Sequence, residues 1–448
     1  MHVIPQLRKL ERQYPDELQV VSVHSPKFPT ERESANLKQA VLRLRIEHPV
    51  INDADFALWR EYGARAWPTL YFIDPRGNVI GRHEGELPAD LALEIVGPWI
   101  DEYRHNNLLA DEPLALQRET GADSALSFPG RVEYDAGGDR LFVADSNHDR
   151  IIVARLDGRV ERVIGGRNSG WRDGAPEHAL FNQPQGLSVT NDALYVADLE
   201  NHAIRKIDLQ TWQTTTIAGT GAQARSRPQP APGLESALNS PWDVLAHDGH
   251  LYIAMAGSHQ LWRMDLENGR IAPWAGSMAE GIVDGPRDSA ELAQPSGLAV
   301  GAHGITFADS ESSAVRHVGL EPGATVSTAV GSGLFDFGDS DGVADEVRLQ
   351  HPLDVAWQGD RLYVVDTFNH KIKRIDTATK SATTLCGGLG DADGPLSDAR
   401  FNEPGGICAG PDNTLIVADT NNHRLRLIDL DRDEVRTINL QLDAGSPG

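Results

Sequence analysis

The last repeat of the chain reads Phe401-Asn402-Glu403-Pro404-Gly405-Gly406-Ile407, then Leu415-Ile416-Val417-Ala418-Asp419, then Asn421-Asn422-His423-Arg424-Leu425-Arg426-Leu427-Ile428-Asp429. The pattern occurs six times between Leu126 and Leu440, with anchor prolines 55, 57, 54, 57 and 52 residues apart at Pro129, Pro184, Pro241, Pro295, Pro352 and Pro404. Each unit contains about four short β-type runs separated by Gly, Asp and Asn. Repeats of this kind are typical of propeller blades. The sequence therefore predicts an all-β, six-bladed propeller over residues 126–440.

The charge of the chain limits its partners. The net charge is −24, and residues 1–105 carry 13 Lys and Arg against 16 Asp and Glu, so −3 falls there and −21 on the remainder. This acidic field repels phosphate backbones, so we expect protein partners, basic ones in particular, and no nucleic acid. There is no run of about 18 apolar residues, which predicts no membrane span.

The chain has two cysteines, Cys386 and Cys408, in different repeats. We expect one in an outermost strand and one in an innermost strand, both as small buried side chains without a disulfide. This usage favours a reducing compartment and a cytoplasmic location.

Residues 1–105 have a different pattern, which alternates helices and strands. Apolar spacing predicts helices from Val3 to Tyr14, Ser34 to Ile46, Phe56 to Tyr62 and Pro88 to Tyr103. Strands are predicted at Leu18–His24 and Val50–Asn52, followed by a hairpin from Trp67 to Ile80. A short polar linker over residues 106–125 then leads to the propeller.

This order resembles a thioredoxin-like fold, so the fold class is multidomain, with an α/β thioredoxin-like domain ahead of an all-β propeller. The segment Ala66-Trp67-Pro68-Thr69-Leu70 resembles the cis-proline segment of that fold, and the resemblance implies that Trp67, Pro68 and Thr69 face a redox site or bind substrate. The central strand and the Cys-x-x-Cys of that fold would lie before Met1. Without that strand, the edges of Leu18–His24 and Leu70–Ile73 face an empty slot. Either Met1 is an internal methionine of a longer gene product, or the domain has lost the strand and its cysteines.

The repeats carry a recognisable signature, seen in Val143-Ala144-Asp145, Val196-Ala197-Asp198, Phe307-Ala308-Asp309, Val364-Val365-Asp366 and Val417-Ala418-Asp419. Together with the first unit, and with His24-Ser25-Pro26-Lys27-Phe28 after its first strand, the chain resembles the NHL-repeat proteins related to NHL repeat-containing protein 2. The resemblance implies a thioredoxin-like domain joined to a six-bladed NHL propeller. One repeat departs from the pattern, because Met255 stands where the others have Asp.

Residues that recur in every repeat are predicted to be structural. An Asp ends the second strand four residues before a His, and we expect it to accept N–H groups of the following turn; examples are Asp198, Asp366 and Asp419. A second set forms Asp-Gly turns with a positive φ at Gly: Asp173-Gly174, Asp284-Gly285, Asp341-Gly342 and Asp393-Gly394. Antiparallel strands bring both sets to one end of the propeller, which is predicted to be acidic.

Positions that vary within this frame are the functional candidates. Before the anchor prolines stand Phe128, Gln183, Ser240, Gln294, His351 and Glu403, and two residues after them Asp243 and Asp354 replace the usual Gly. We predict that Gln183, Asp243, Gln294, His351, Asp354 and Glu403 line the mouth of the central channel. A group of Asp243, His351, Asp354 and Glu403 would suit a divalent cation, and the alternative is a polar lining with ordered water. The sequence assigns no metal and no cofactor.

Three functions remain open at this stage. The first is thiol–disulfide exchange by the full-length gene product, with the propeller as a platform for its partners. The second is a non-enzymatic interaction scaffold, and the third is a metal-dependent propeller hydrolase or lyase. Without a dithiol, the chain as written has no catalytic residue for the first of these.

Overall fold

The computed structural model describes residues 3–110, 112, 116, 118–121, 124–166, 168–225 and 229–442. The chain divides into two compact units, residues 1–123 and 124–448. Part of the predicted linker, residues 111, 113–115, 117 and 122–123, lies outside the described residues. Within the described part, no helix is long and apolar enough to cross a membrane.

The first unit has the predicted order of elements. Its helices are α1 Val3–Gln13, α2 Ser34–Arg43, α3 Ala57–Tyr62 and α4 Ala89–His105, and its strands are β1 Ser22–His24, β2 Val50–Asn52, β3 Thr69–Ile73 and β4 Val79–Glu84. The first strand is shorter than predicted because its pairing begins where the Ser22 N–H donates to the Pro49 carbonyl. A small core of Leu10, Leu87 and Ala92 packs α1 against α4. His48 ties α1 to β1, with Nε2 2.8 Å from Ser22 Oγ and Nδ1 3.1 Å from Glu11 Oε1.

The strands of this unit form two separate pairs. β1 pairs in parallel with β2, and β3 pairs antiparallel with β4, but no ladder among the described residues joins the two pairs. The described part of this unit therefore has two separate two-stranded sheets. Val23 and Ile51 lie opposite each other in the first pair and are 45% and 43% exposed, although parallel strands are usually covered on both faces.

The second unit consists of six twisted sheets whose innermost strands contact one another in a closed ring. The strands of the first three blades are β5 Pro129–Asp135, β6 Arg140–Asp145, β7 Arg150–Ala154 and β8 Val160–Gly165; β9 Pro184–Val189, β10 Ala193–Asp198, β11 Ala203–Asp208 and β12 Thr214–Ala218; and β13 Ala231–Pro232, β14 Pro241–His247, β15 His250–Met255, β16 Gln260–Asp265 and β17 Arg270–Ala275. Those of the last three are β18 Gly285–Pro286, β19 Pro295–Gly301, β20 Gly304–Asp309, β21 Ala314–Val318 and β22 Thr325–Val330; β23 Gly342–Val343, β24 Asp354–Gln358, β25 Arg361–Asp366, β26 Lys371–Asp376 and β27 Ser381–Gly387; and β28 Gly394–Pro395, β29 Gly406–Ala409, β30 Thr414–Asp419, β31 Arg424–Asp429 and β32 Glu434–Ile438. The predicted six-bladed propeller is confirmed.

The second strand of each blade is buried on both faces, which explains its continuous apolar run. Each buried cluster combines side chains of neighbouring blades; one joins Val143 and Ile152 of blade 1 to Ile416 and Leu425 of blade 6. A short 3₁₀ turn follows every second strand, and we call the end of the propeller that carries them the turn end: Ser146–His148, Leu199–Asn201, Ala256–Ser258, Ser310–Ser312, Thr367–Asn369 and Thr420–Asn422.

Among the described residues, blades 1 and 6 exchange no strand, and a single parallel bridge joins Arg159 to Gln441. Blade 1 takes its four strands from residues 129–165, and blade 6 takes its strands from residues 394–438. Besides the shared apolar cluster, the Gln441 N–H donates to the Gly158 carbonyl at 2.8 Å, and Thr420 Oγ1 donates to the Pro129 carbonyl at 2.8 Å. The join between the last and first blades therefore depends on packing and individual hydrogen bonds.

Candidate functional site

The aspartate that ends the second strand organises the turn end of its blade. In blade 2, Asp198 Oδ1 accepts the Asn182 N–H at 2.8 Å, and Oδ2 accepts from Asn201 at 2.8 Å and from Arg205 at 2.7 Å. Asp309, Asp366 and Asp419 accept the equivalent N–H groups in their own blades. The prediction that these carboxylates accept N–H groups of the following turn was incomplete. One oxygen of each carboxylate instead accepts the backbone N–H of the residue two positions before the anchor proline of the same blade.

The second set of aspartates shares a buried cation with the first. Arg205 binds both Asp198 and Asp173, at 2.7 and 2.8 Å, and its side chain is completely buried. Arg316, Lys373 and Arg426 occupy the same place in blades 4, 5 and 6. Burial raises the pKa of Asp173, but hydrogen bonds from Thr216 and Arg205 outweigh it, so the net pKa lies below the usual value. The predicted acidic end is therefore partly neutralised from within each of these blades.

Blade 3 replaces this whole network by uncharged residues. Met255 stands at the inner Asp, Trp262 at the Arg and Pro230 at the outer Asp. The Asn239 N–H points to Met255 Sδ at 3.4 Å, and Trp262 is 1% exposed. Replacing all three together avoids a buried charge without a partner, which is costly.

A closed ring of six hydrogen bonds links the blades at the turn end. The residue after each 3₁₀ turn accepts, through its side chain, the N–H of the residue before the next anchor proline. The pairs are Asp149 and Gln183 (2.9 Å), His202 and Ser240 (3.1 Å), His259 and Gln294 (3.2 Å), Ser313 and His351 (3.2 Å), His370 and Glu403 (2.9 Å), and His423 and Phe128 (3.0 Å). The recurrent His of the repeat thus accepts a hydrogen bond from the backbone of the next blade. Asp149 in blade 1 and Ser313 in blade 4 accept the equivalent bond.

The pre-proline residues stand close before the innermost strands, each with its own neighbours. Gln183 Nε2 donates to Asn147 at 3.1 Å. His351 stacks on Phe368, with ring centres 4.5 Å apart, and its Nδ1 lies 3.5 Å from Glu311 Oε1. The backbone of Gln294 and Glu403 joins the ring described above, and both have positive φ. These four residues therefore lie at one end of the innermost strands, and each has a different set of contacts.

Asp243 and Asp354 lie deeper in the channel, where they bind a cation that the sequence reasoning missed. Arg131 Nη1 is 2.8 Å from Asp243 Oδ2 and also pairs with Asp354 Oδ1. We call Arg131, Asp243 and Asp354 the axial cluster. They occupy the same repeat position, two residues after the anchor proline, in blades 1, 3 and 5. Comparing that position across all six repeats, rather than only its acidic members, would have revealed Arg131.

Glycine occupies this position in the three other blades: Gly186, Gly297 and Gly406. A methyl group on Gly186 would lie 2.3 Å from Cα of Asp243, and one on Gly297 would lie 2.4 Å from Cα of Asp354. The channel is thus filled by charged side chains from alternate blades, and glycines between them let the strands approach.

Burial dominates the electrostatics of the axial cluster. It raises the pKa of Asp243 well above the usual value and that of Asp354 to about 6, although Arg131 opposes both shifts. Half-buried Glu133, two residues further along β5, has a pKa raised to about 7 for the same reason. Among the described residues, no three His, Cys, Asp or Glu side chains are placed to bind a metal ion. Asp243 and Asp354 are engaged with Arg131, so the structure does not assemble the four-residue cation site considered from the sequence.

The candidate residues of the first unit lie on an exposed aromatic surface. The Trp67–Pro68 peptide bond is cis, as the segment predicts. Trp67 is 50% exposed, packs against Trp59 at 4.5 Å between ring centres, and donates from Nε1 to the Ser25 carbonyl at 2.8 Å. Thr69 Oγ1 donates to the Ala66 carbonyl at 2.7 Å.

Both cysteines are buried and unlinked, in β27 and β29, as predicted. Burial raises the pKa of Cys386 to about 12 and places that of Cys408 well above its usual value. Neither thiol is therefore a nucleophile at neutral pH.

A polar groove of about 700 Å³ lies at the opposite end of the propeller, beside blade 4. Its lining includes His247, His303, His317 and Glu321. Burial lowers the pKa of His317, whose Nε2 lies 3.1 Å from the His303 carbonyl oxygen. The repeat pattern gave no signal for this groove because its residues come from hairpin turns that vary between blades.

Comparison with known proteins agrees with the fold. The NHL repeat family matches residues 181–207 and 401–426. Human NHL repeat-containing protein 2 is 39% identical over 98% of this chain and 66% of its own length. Protein SUPPRESSOR OF QUENCHING 1, chloroplastic, from Arabidopsis thaliana is 40% identical over 97% of this chain and 43% of its own. The chain thus spans about two thirds of the first protein and less than half of the second.

Among solved structures, an auxiliary nutrient binding protein from Bacteroides thetaiotaomicron aligns with a TM-score of 0.52 at 14% identity over 70% of each chain. At this identity the likeness concerns the fold alone. The chain therefore contains NHL repeats within a six-bladed β-propeller, and its sequence is similar to NHL repeat-containing protein 2.

Proposed function

We propose that the propeller is a platform that binds protein partners at its turn end. The observation that carries this proposal is a set of exposed apolar side chains on the loops that enter blades 2, 5 and 6. Phe335 is 73% exposed, Leu389 56% and Trp171 42%. Large apolar side chains that face solvent together mark interaction sites on soluble proteins, and aromatic residues contribute most to binding energy.

These loops are fixed to the turns by hydrogen bonds, which favours binding. The carbonyl groups of Gly170, Gly338 and Gly390 accept from the amide groups of Asn201, Asn369 and Asn422 at 2.8, 2.7 and 2.8 Å. A surface held in place before binding loses less conformational entropy on association. The constant Asp, Arg and Asn residues thus support the blades, while the variable positions beside them are available to partners.

The test compares partner recovery by three full-length variants. Phe335→Ser and Leu389→Ser remove apolar side chains from the turn end, and Val79→Ser removes an equally exposed one, 52%, from the first unit. We expect crosslinked partners of the wild-type protein to be lost with the first two variants and retained with the third. Retention of every partner by both Phe335→Ser and Leu389→Ser would refute a platform at this end.

A preference for basic partners, and a cytoplasmic location, are further parts of this proposal. The net charge of −24 supports the first. A photocrosslinker at position 335 should label basic proteins more than acidic ones of similar abundance. The location is tested by imaging the tagged full-length gene product, since the Arabidopsis relative carries the word chloroplastic in its name.

The second candidate function is thiol–disulfide exchange by a longer gene product with a thioredoxin-like first unit. It is favoured by the two strand pairs of that unit, which no ladder joins among the described residues. We propose that a strand ending in Cys-x-x-Cys, encoded directly before Met1, joins the two pairs beside Trp67, Pro68 and Thr69. The upstream reading frame and a disulfide-reduction assay of the lengthened protein test it. A stop codon in that frame with no cysteine pair after it would eliminate this candidate and leave the scaffold function intact.

A further inference from the structure

The axial cluster contains more carboxyl groups than its cation can neutralise. Arg131 is surrounded by Asp243 and Asp354, and the three side chains are almost fully buried. The titratable and charged groups that face them are Glu133 on β5 and the Cys408 thiol on β29. One guanidinium therefore meets two carboxyl groups in its first contacts and a third nearby. A buried excess of negative charge is costly and is relieved when a carboxyl group takes up a proton.

The hydrogen bonds show which carboxyl group is better suited to remain charged. Asp354 Oδ1 pairs with Arg131 and accepts the Val355 N–H at 2.8 Å, and Oδ2 accepts the Ile407 N–H at 2.7 Å. Both oxygens of Asp354 are thus stabilised as a carboxylate.

Asp243 is arranged differently. Its Oδ2 lies 2.8 Å from Arg131 Nη1 and accepts the Leu298 N–H at 2.8 Å, while its buried Oδ1 makes no hydrogen bond of normal geometry. Burial raises the pKa of Asp243 more than Arg131 and the backbone N–H groups of Leu298 and Val244 lower it. Oδ1 is packed towards Gly186, where an added methyl group would lie 2.4 Å away. An ionised oxygen without a well-aligned donor in this position is unfavourable, whereas a protonated one removes the charge.

The cluster also connects blades across the channel. Arg131 of blade 1 reaches Asp243 of blade 3, Asp354 of blade 5 and, at 3.2 Å, the Leu298 carbonyl of blade 4. Asp354 in turn holds Ile407 of blade 6. The protonation state of the cluster therefore affects the strength of the contacts that join five of the six blades.

We propose that the axial cluster is a pH-sensitive clamp, in which Asp243 keeps a proton beside the Arg131–Asp354 ion pair and the propeller closes more firmly as the pH falls. The unfolded chain releases this proton near the ordinary pKa of Asp, because its carboxyl group is then in water. The folded pKa of Asp243 is raised, so its contribution to stability is complete below the unfolded pKa and is lost as the pH rises towards the folded pKa. When the carboxyl group of Asp243 ionises, its proton passes to the solvent and no other reactant is needed.

The first test is the unfolding equilibrium of the full chain between pH 5 and 8. In Asp243→Asn the amide oxygen still accepts from Leu298 and Arg131, and the amide nitrogen replaces Oδ1. The unfolding constant of the wild-type protein should rise relative to that of Asp243→Asn by up to about tenfold per pH unit. Asp265→Asn is the control, because hydrogen bonds from Asn268 and Glu267 lower the pKa of this half-buried aspartate, which therefore titrates below the window. The unfolding constant of Asp265→Asn should depend on pH in the same way as that of the wild-type protein. The proposal would be overturned if the unfolding constants of the wild-type protein and of Asp243→Asn changed with pH in parallel.

The second test begins with the native wild-type protein. Infrared spectroscopy in D2O separates protonated carboxyl groups from carboxylates, so the native wild-type protein at pH 7 should show a protonated carboxyl band. This band should diminish in Asp243→Asn and persist in Asp265→Asn. A native protein without such a band at pH 7 would refute the clamp, whatever the stability of the variants.

Discussion

Arg131→Met is the change that most directly tests the importance of the axial cluster. Methionine matches the length of the aliphatic stem but leaves Asp243 and Asp354 facing each other without a cation. Removing one partner of a buried ion pair costs about 3–5 kcal/mol, because the remaining charge is stranded in a medium of low dielectric constant. Loss of the bond to the Leu298 carbonyl adds to this destabilisation.

The size of the effect can be expressed as a melting temperature. Unfolding entropy is roughly 2.1 cal/mol/K per residue, so the unit formed by residues 124–448 has roughly 0.7 kcal/mol/K. A loss of about 3–5 kcal/mol then lowers the melting temperature of the propeller by roughly 4–7 °C. Near-ultraviolet circular dichroism of the full chain at pH 8 measures it. That pH is chosen because protonation of the stranded carboxyl groups would relieve part of the loss at lower pH.

A triple variant supplies the control. Arg131→Met/Asp243→Asn/Asp354→Asn keeps amide oxygens opposite the N–H groups of Leu298 and Ile407 while removing every charge of the cluster. We expect it to melt closer to the wild-type protein than to Arg131→Met. If Arg131→Met melts within about 1 °C of the wild-type protein, or if the triple variant is as unstable as the single one, the assigned electrostatics are wrong.

Three further predictions concern the propeller. Gly186→Ala should destabilise by about 1–3 kcal/mol, since its methyl group would lie 2.3 Å from Cα of Asp243, and the melting temperature checks it. Trp262→Arg should lose about 3–5 kcal/mol by burying a cation without a partner in blade 3, and adding Met255→Asp should recover part of this loss in the same assay; no recovery would contradict the shared network assigned to the other blades. Ellman's reagent should react with neither cysteine in the native chain and with both in denaturant, whereas fast labelling under native conditions would contradict the burial of Cys386 and Cys408.

The sequence was sufficient for the architecture because period, turn residues and apolar runs are local signals. The blade number follows from the spacing of the anchor prolines, and the helix order of residues 1–105 follows from apolar spacing. The same signals say little about partners that are distant in sequence. The Arg205–Asp173 pair spans 32 residues, and the His423–Phe128 bond spans 295 residues across the join of the ring.

The candidate site was predicted only in part, for a related reason. Gln183, Gln294, His351 and Glu403 do stand at the entry to the innermost strands, because their position is set by the repeat. The charged side chains of the axial cluster come from the odd-numbered blades, so Arg131 contacts Asp243 and Asp354 although they are far apart in the chain. No pattern within a single repeat contains that relation.

The way the ring closes has a consequence for how its blades are ordered. Since blade 6 borrows no strand from blade 1 among the described residues, the join between them resembles the other five, with an apolar cluster and one bond from a backbone N–H to a side chain. The contacts between blades then do not depend on which blade contains the ends of the polypeptide. A gene for residues 124–442 that is cut between two other blades, and reconnected through a short linker across the present join, should encode the same ring read from a different starting point.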